Sequence, residues 1–143
     1  MDLQEPTKKM SKSSESPKGN IYLLDDETTI RKKIMSAVTD SDGFVKYDPE
    51  NKPGISNLIN IYVSLTGLSI EEVEQKYNGS NYGTFKKDIS DLVVETLLPI
   101  QERYYKLLDS KELDEILDHG VEVTSEMARK KYLELKELVG LHR

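Results

Sequence analysis

The sequence contains no cysteine and no tryptophan, and its only two histidines, His119 and His142, stand far apart. Without thiols there is no disulfide framework and no thiolate metal site, and two distant imidazoles supply no paired ligand set, so no metal site is expected. Long apolar runs are also missing. None approaches the ~20 residues of a membrane-spanning helix, and no apolar stretch follows the basic residues near the start, as a secretory signal would require. These absences favour a soluble protein of the reducing cytoplasm with no membrane partner.

What is present is charge. Charged residues make up 32% of the chain and apolar ones 36%, and the mean hydropathy is −0.58. That balance suits amphipathic helices with solvated outer faces better than a buried parallel sheet. A net charge of −6 argues against a nucleic-acid partner, because phosphate binding draws on clustered cations. Distribution matters more than the sum. Lys8, Lys9, Lys12 and Lys18 fall close together near the start, while much of the acid lies at Glu71 to Glu74 and Glu112 to Glu122.

Met1 to Gly19, rich in Lys, Ser and Pro, shows no helical or strand period and reads as an extended, mobile lead-in. Ile21 to Leu24 has the character of a short strand or extended stretch. Asp25-Asp26 then offers an N-cap for a helix carrying Ile30, Ile34, Ala37 and Val38 on one face and ending near Thr39. Asp40 to Gly54 is turn chemistry. Apolar spacing returns at Ile55, Leu58, Ile59, Tyr62 and Leu65, with Gly67 as the stop. Ser69 to Glu72 fits a capping box opening a short helix to about Tyr77. Phe85 to Leu107 marks a long helix that Pro99 should kink rather than end. Ser110 is placed to cap another helix through Leu117, closed near His119 by Gly120, and Val121 to Val139 to form the last. The sum is an all-α bundle of about five or six helices, with residues 1–24 as a loop-bearing lead-in and residues 25–143 as the helical domain.

One short segment stands apart. Lys9-Met10-Ser11-Lys12-Ser13 is, by composition, a piece of disordered Lys/Ser tail. It also matches the signature loop of class I aminoacyl-tRNA synthetases. The bacterial tryptophanyl-tRNA synthetase family is the one the chain resembles over essentially its whole length. The resemblance runs in order through Glu5 to Ser13, Leu23 to Asp26, Ala37 to Ser41, Lys52 to Leu58, Tyr82 to Lys86 and Pro99 to Tyr104. The family commonly has an acidic residue directly after the loop, where this chain has Ser14.

The resemblance implies an enzyme that activates tryptophan with ATP and transfers it to tRNA(Trp). ATP and its Mg2+, tryptophan and tRNA would be the partners, and the intact enzyme would be a homodimer. Lys12 and Lys9 would stabilise charge on the departing pyrophosphate. Ser11 and Ser13 would bond phosphate or position the loop, Met10 would anchor a hinge, and the loop would close over ATP as catalytic lids do.

The family's Rossmann-like half, with its histidine-containing motif and tryptophan pocket, has no counterpart in these residues. The chain is therefore expected to be a C-terminal part, monomeric and inactive alone. The helices after the loop resemble an anticodon-binding domain, with Ser56, Asn57, Lys86 and Lys87 at helix starts as tRNA-binding candidates. The bland reading of the lysine pair is a solvated face, and of Asn57 a cap. Arg31-Lys32-Lys33 and Arg129-Lys130-Lys131 are expected to be solvated faces. The competing readings are a free-standing helical RNA-binding module and a protein-interaction domain, neither with catalysis.

Overall fold

A computed structural model describes residues 1–13 and 16–141, so Ser14 and His142 lie outside the described residues. Among the described residues the chain is all-helical, without a strand. A 3-10 turn at Pro17–Gly19 precedes α1 (Glu27–Met35), α2 (Pro53–Thr66), α3 (Ile70–Lys76), α4 (Tyr82–Leu108) and α5 (Glu112–Leu138). The chain divides into two compact units, Met1–Gln101 and Glu102–Arg143.

In the first unit the helix starts are set by local chemistry. Asp26 caps α1 by accepting from the Thr29 N–H, and Ser69 and Glu72 complete a reciprocal capping box on α3. Pro53 opens α2, where its fixed φ suits the first helical turn, and Gly67 closes it in the left-handed region at φ 74°. The close approach of α2 to the α1 exit demands glycine at 54, because a Cβ there would lie 2.1 Å from the Val38 carbonyl oxygen.

The expectations at Ile21 to Leu24 and at the end of α1 need correction. Ile21 to Leu24 is no strand: the Asp25 N–H donates to the Tyr22 carbonyl at 3.1 Å, and the Asp25 carboxylate accepts from the Tyr22 N–H at 2.9 Å, which makes a turn. Helix α1 stops at Met35 rather than near Thr39. The Ala37 N–H takes the tighter bond to Ile34, and the Val38 N–H is drawn to the Leu3 carbonyl at 2.8 Å.

That last bond exposes a larger difference. The lead-in is built into the fold. Leu3 is 1% exposed and belongs to the core with Ile30 and Ile34 of α1, Ile55, Leu58 and Ile59 of α2, Val73 of α3, and Phe85 and Ile89 of α4. Tyr62, Tyr77 and Phe85 form an aromatic triangle with centroids 4.7 to 5.8 Å apart, in the tilted and edge-on arrangements that aromatic quadrupoles favour. Helix α4 runs unbroken through Pro99.

The second unit contains the end of α4 and all of α5. The expected break at Gly120 does not occur, and His119 is a mid-helix residue. α5 is one helix of 27 residues, because the apolar spacing Leu113, Ile116, Leu117, Val121 continues across the glycine and outweighs its helix penalty of about 1 kcal/mol. Ser110 does not cap it in the usual way. Lys111 is the N-cap, with no side-chain bond, and Ser110 Oγ accepts from the Glu112 N–H at 3.2 Å. No residue of α5 is buried.

Candidate phosphate-facing loop

The loop is held at its base by a small network. Asp2, 6% exposed, accepts through Oδ1 from the N–H groups of Gln4 (2.7 Å) and Glu5 (3.0 Å). Its own N–H donates to the Lys8 carbonyl at 2.8 Å. Asn57 Nδ2 donates to the carbonyls of Met1 and Asp2. The start of the signature segment is thus tied to α2, and half-buried Met10 packs against the core.

Beyond that base the cations face outward. Lys8 is paired with Glu5; the bond and charge of that carboxylate raise the Lys8 pKa above its ordinary value. Lys9 and Lys12 are both exposed, and neither has a carboxylate partner among the described residues. Lys9 lines a polar hollow of about 500 Å³ with Asp2, Glu5, Lys8, Ser11, Ser13 and Ser16. Lys12 lines an adjoining, mainly apolar hollow of about 220 Å³ with Met10, Ser11, Asn20 and Tyr22 among its walls. Ser11 belongs to both, and its Oγ lies 3.0 Å from Ser13 Oγ. Two exposed ammonium groups and two hydroxyls around open space can receive a multiply charged anion.

The four helix-start candidates for tRNA separate clearly. Ser56 is 2% exposed and its Oγ accepts from the Asp48 N–H at 2.8 Å. Asn57 is 5% exposed and holds the N-terminal segment, as described. Lys86 is 8% exposed, its ammonium donating to the Ala37 carbonyl (2.7 Å) and Thr39 Oγ1 (3.3 Å); burial pushes its pKa down. Lys87 alone is exposed. Helix periodicity explains this: position 86 follows Phe85 onto the inner face, and the stem of a lysine is long enough to carry its charge to inner carbonyls.

The basic runs also differ from simple solvated faces. Lys33 is buried and bonded to Asp25 at 2.6 Å, and Arg31 pairs with Glu27 and Asp91. Lys131 fits the expectation, exposed beside Glu134.

Sequence reasoning missed two clusters. One is Asn20, which bonds both backbone groups of Ser11; no short-range spacing signals a contact across nine residues of loop. The other joins Lys52, which pairs with Asp40 (3.2 Å) and Asp42 (2.7 Å) and lies 3.7 Å from the Phe44 ring centroid. Tyr82 donates to Asp40 at 2.6 Å. Burial works to raise the Asp40 pKa, but bonds from Tyr82, the Asp42 N–H and Lys52 outweigh it and hold the carboxyl below its ordinary range. Burial and the bond to Asp40 push Tyr82 up to about 12. No three carboxylate or imidazole groups converge among the described residues.

The family model for tRNA synthetases class I (W and Y) matches residues 1–98, and the chain belongs to that family. Within it, the chain is 54% identical over all 143 residues to a tryptophan–tRNA ligase of Bacillus anthracis and 55% identical to that of Halalkalibacterium halodurans. It spans 44% and 43% of their respective lengths. A tryptophanyl-tRNA synthetase structure from Campylobacter jejuni matches 98% of this chain at TM-score 0.76 and 30% identity, with 44% of that chain covered. A second structure from that organism, described as complexed with ADP and tryptophan, matches the same shares at TM-score 0.74 and 30% identity.

Proposed function

We propose that this chain serves in a tryptophan–tRNA ligase and supplies the side chains that stabilise pyrophosphate as it leaves ATP. In the activation step an oxygen of the tryptophan carboxylate bonds to the α-phosphorus. The bond from that phosphorus to the bridging oxygen of the β-phosphate breaks, and the electron pair departs with pyrophosphate. Negative charge grows on the leaving group, so fixed ammonium groups aimed there lower the barrier more than they favour bound ATP. The observation that carries this reading is the pair Lys9 and Lys12, both exposed on the walls of adjoining open hollows and without a carboxylate partner among the described residues, whereas Lys8 beside them is held by Glu5. Lys12 takes the leading role and Lys9 the second; Ser11 and Ser13 offer hydroxyls to phosphate oxygens. Any magnesium travels with the nucleotide, and no step here passes through it.

The amino-acid pocket and the rest of the nucleotide site belong, in this reading, to a preceding half, and the chain alone does not activate tryptophan. The α1 to α4 unit contributes to recognition of tRNA(Trp). Of the four candidates only Lys87 is free to meet phosphate, whereas Ser56, Asn57 and Lys86 shape the scaffold. The intact enzyme is read as a cytoplasmic homodimer and the chain by itself as a monomer. No helix of the described residues is long and apolar enough to cross a membrane.

The test joins this chain to the nucleotide-binding half of the Bacillus anthracis relative and measures tryptophan-dependent ATP–pyrophosphate exchange. Lys12→Ala is expected to lower the rate roughly 10²–10³-fold, the scale for losing one donor to developing charge. An unchanged rate at saturating ATP and tryptophan would sink the assignment.

A further inference from the structure

Ammonium groups on a loop act on a transition state only if the backbone carrying them is placed beforehand. Here that placement falls on a residue outside the signature. Asn20 is 3% exposed. Its Oδ1 accepts from the Ser11 N–H at 3.0 Å, and its Nδ2 donates to the Ser11 carbonyl at 2.9 Å. Both halves of one carboxamide are therefore committed to both backbone groups of one residue, two positions after Lys9 and one before Lys12. A carboxamide has one orientation that satisfies a donor and an acceptor together. Aspartate, with acceptors only, would set a carboxylate against the Ser11 carbonyl, and leucine would fill a similar volume with no bond at all.

Asn20 is itself fixed from behind. The Gly19 carbonyl accepts from the N–H of fully buried Leu3 at 2.9 Å. Gly19 lies so close to the buried Asp2 carboxylate that a Cβ would come within 2.1 Å of Oδ2. The position of the core is thus carried through Leu3, Gly19 and Asn20 to Ser11, between the two exposed lysines.

We propose that Asn20 is a positioning residue for ATP activation, fixing the Ser11 backbone so that Lys9 and Lys12 are presented together to the polyphosphate. This rests on the phosphate reading of the loop given above. Both ends of the Asn20 carboxamide are committed to Ser11, and its effect passes through that residue.

The experiment uses the same joined enzyme and follows pyrophosphate exchange against ATP and, separately, against tryptophan. Asn20→Leu is expected to lower kcat/KM for ATP about 10- to 100-fold, the scale of a small misplacement of catalytic groups, with the KM for tryptophan unchanged. Because Asn20 acts in part through Lys12, the double variant Asn20→Leu/Lys12→Ala should lose clearly less than the product of the two single losses. Should Asn20→Leu fail to fold, Asn20→Asp, which keeps the size and one acceptor, takes its place with the same expectations. Wild-type kinetics in the Asn20 variant beside a slow Lys12→Ala would overturn the positioning role alone. So would equal losses for ATP and tryptophan, or losses that multiply in the double variant, since either marks a merely structural residue. A wild-type rate in Lys12→Ala would overturn the phosphate reading, and this inference with it.

Discussion

Met1–Gln101 and Glu102–Arg143 are both helical and both carry many leucine, valine and tyrosine side chains, yet they use their apolar residues in opposite ways. In the first unit Ile34, Ile55, Ile59, Val73, Phe85 and Ile89 show no exposure at all. In the second, Ile116 and Leu117 are each 57% exposed, Met127 68% and Leu138 82%. Amphipathic spacing creates an apolar stripe on a helix, but only a second element at the right distance turns that stripe into a core. The short helices α1 and α3 depend on such packing, since isolated helices below about 12–15 residues are marginal in water. The 27-residue α5 is long enough to draw on its own hydrogen-bond ladder, with Glu112, Asp114 and Glu115 at its positive end and Lys136 at its negative end.

The sharpest break of this contrast is at the aromatic triangle. Phe85→Ala removes a ring that contacts both Tyr62 and Tyr77 and leaves a cavity among fully buried neighbours, so unfolding of the first unit should become easier by about 3–5 kcal/mol. Ile116→Ala on α5 should change stability by no more than about 0.5 kcal/mol. Denaturant unfolding of both variants decides it: comparable losses would mean that α5 packs as a core element.

A second, smaller difference is electrostatic. The first unit holds Asp40 and Glu74 with lowered pKa values. At Glu74 burial opposes the shift, but Lys46 and the Tyr47 N–H dominate. A carboxyl whose folded pKa lies below its unfolded one binds its proton more tightly in the unfolded chain. Its stabilisation is therefore complete above the unfolded value and lost as pH falls through the folded one. The first unit should hold steady near neutrality and weaken below about pH 4. Tyr82, raised to about 12, works at the other end: its contribution is present below about pH 10 and lost as pH rises toward its folded value. Asp40→Asn, which weakens the attachments of Lys52 and Tyr82, should cost roughly 1–3 kcal/mol at neutral pH and flatten the acid decline. Chemical denaturation across pH measures both, and an undiminished acid response in Asp40→Asn would remove this cluster as its cause.

How much of this was legible beforehand depended on range. The Asp26 cap, the Ser69–Glu72 box, Gly67 and the continuation through Pro99 are encoded within four or five residues, and the sequence shows them directly. The signature loop was legible as a motif. Its anchoring was not, because Leu3 reaches the core through bonds to Gly19 and Val38, contacts invisible to periodicity. The inward turn of Lys86 had a local clue, its place beside Phe85, but lysine reads as surface by composition. Gly120 misled for the opposite reason: glycine signals an end only where a left-handed residue is needed, and here the helical pattern simply outweighs it.

The two units can finally be compared with one substitution. Gly54→Ala places a Cβ against the Val38 carbonyl at 2.1 Å, a backbone atom that cannot yield without separating α2 from the exit of α1, so the first unit should lose stability. Gly120 lies inside α5, and a Cβ there meets nothing within 4 Å. Its glycine carries only the entropic cost of an unrestricted backbone, which alanine removes. Gly120→Ala should therefore strengthen α5 by about 0.5–1 kcal/mol. Far-UV circular dichroism on heating should show more persistent helix in this variant and less in Gly54→Ala. A loss in both would mean that the Gly120 surface of α5 meets a neighbour in solution, and that the second unit is less open than its exposed side chains indicate.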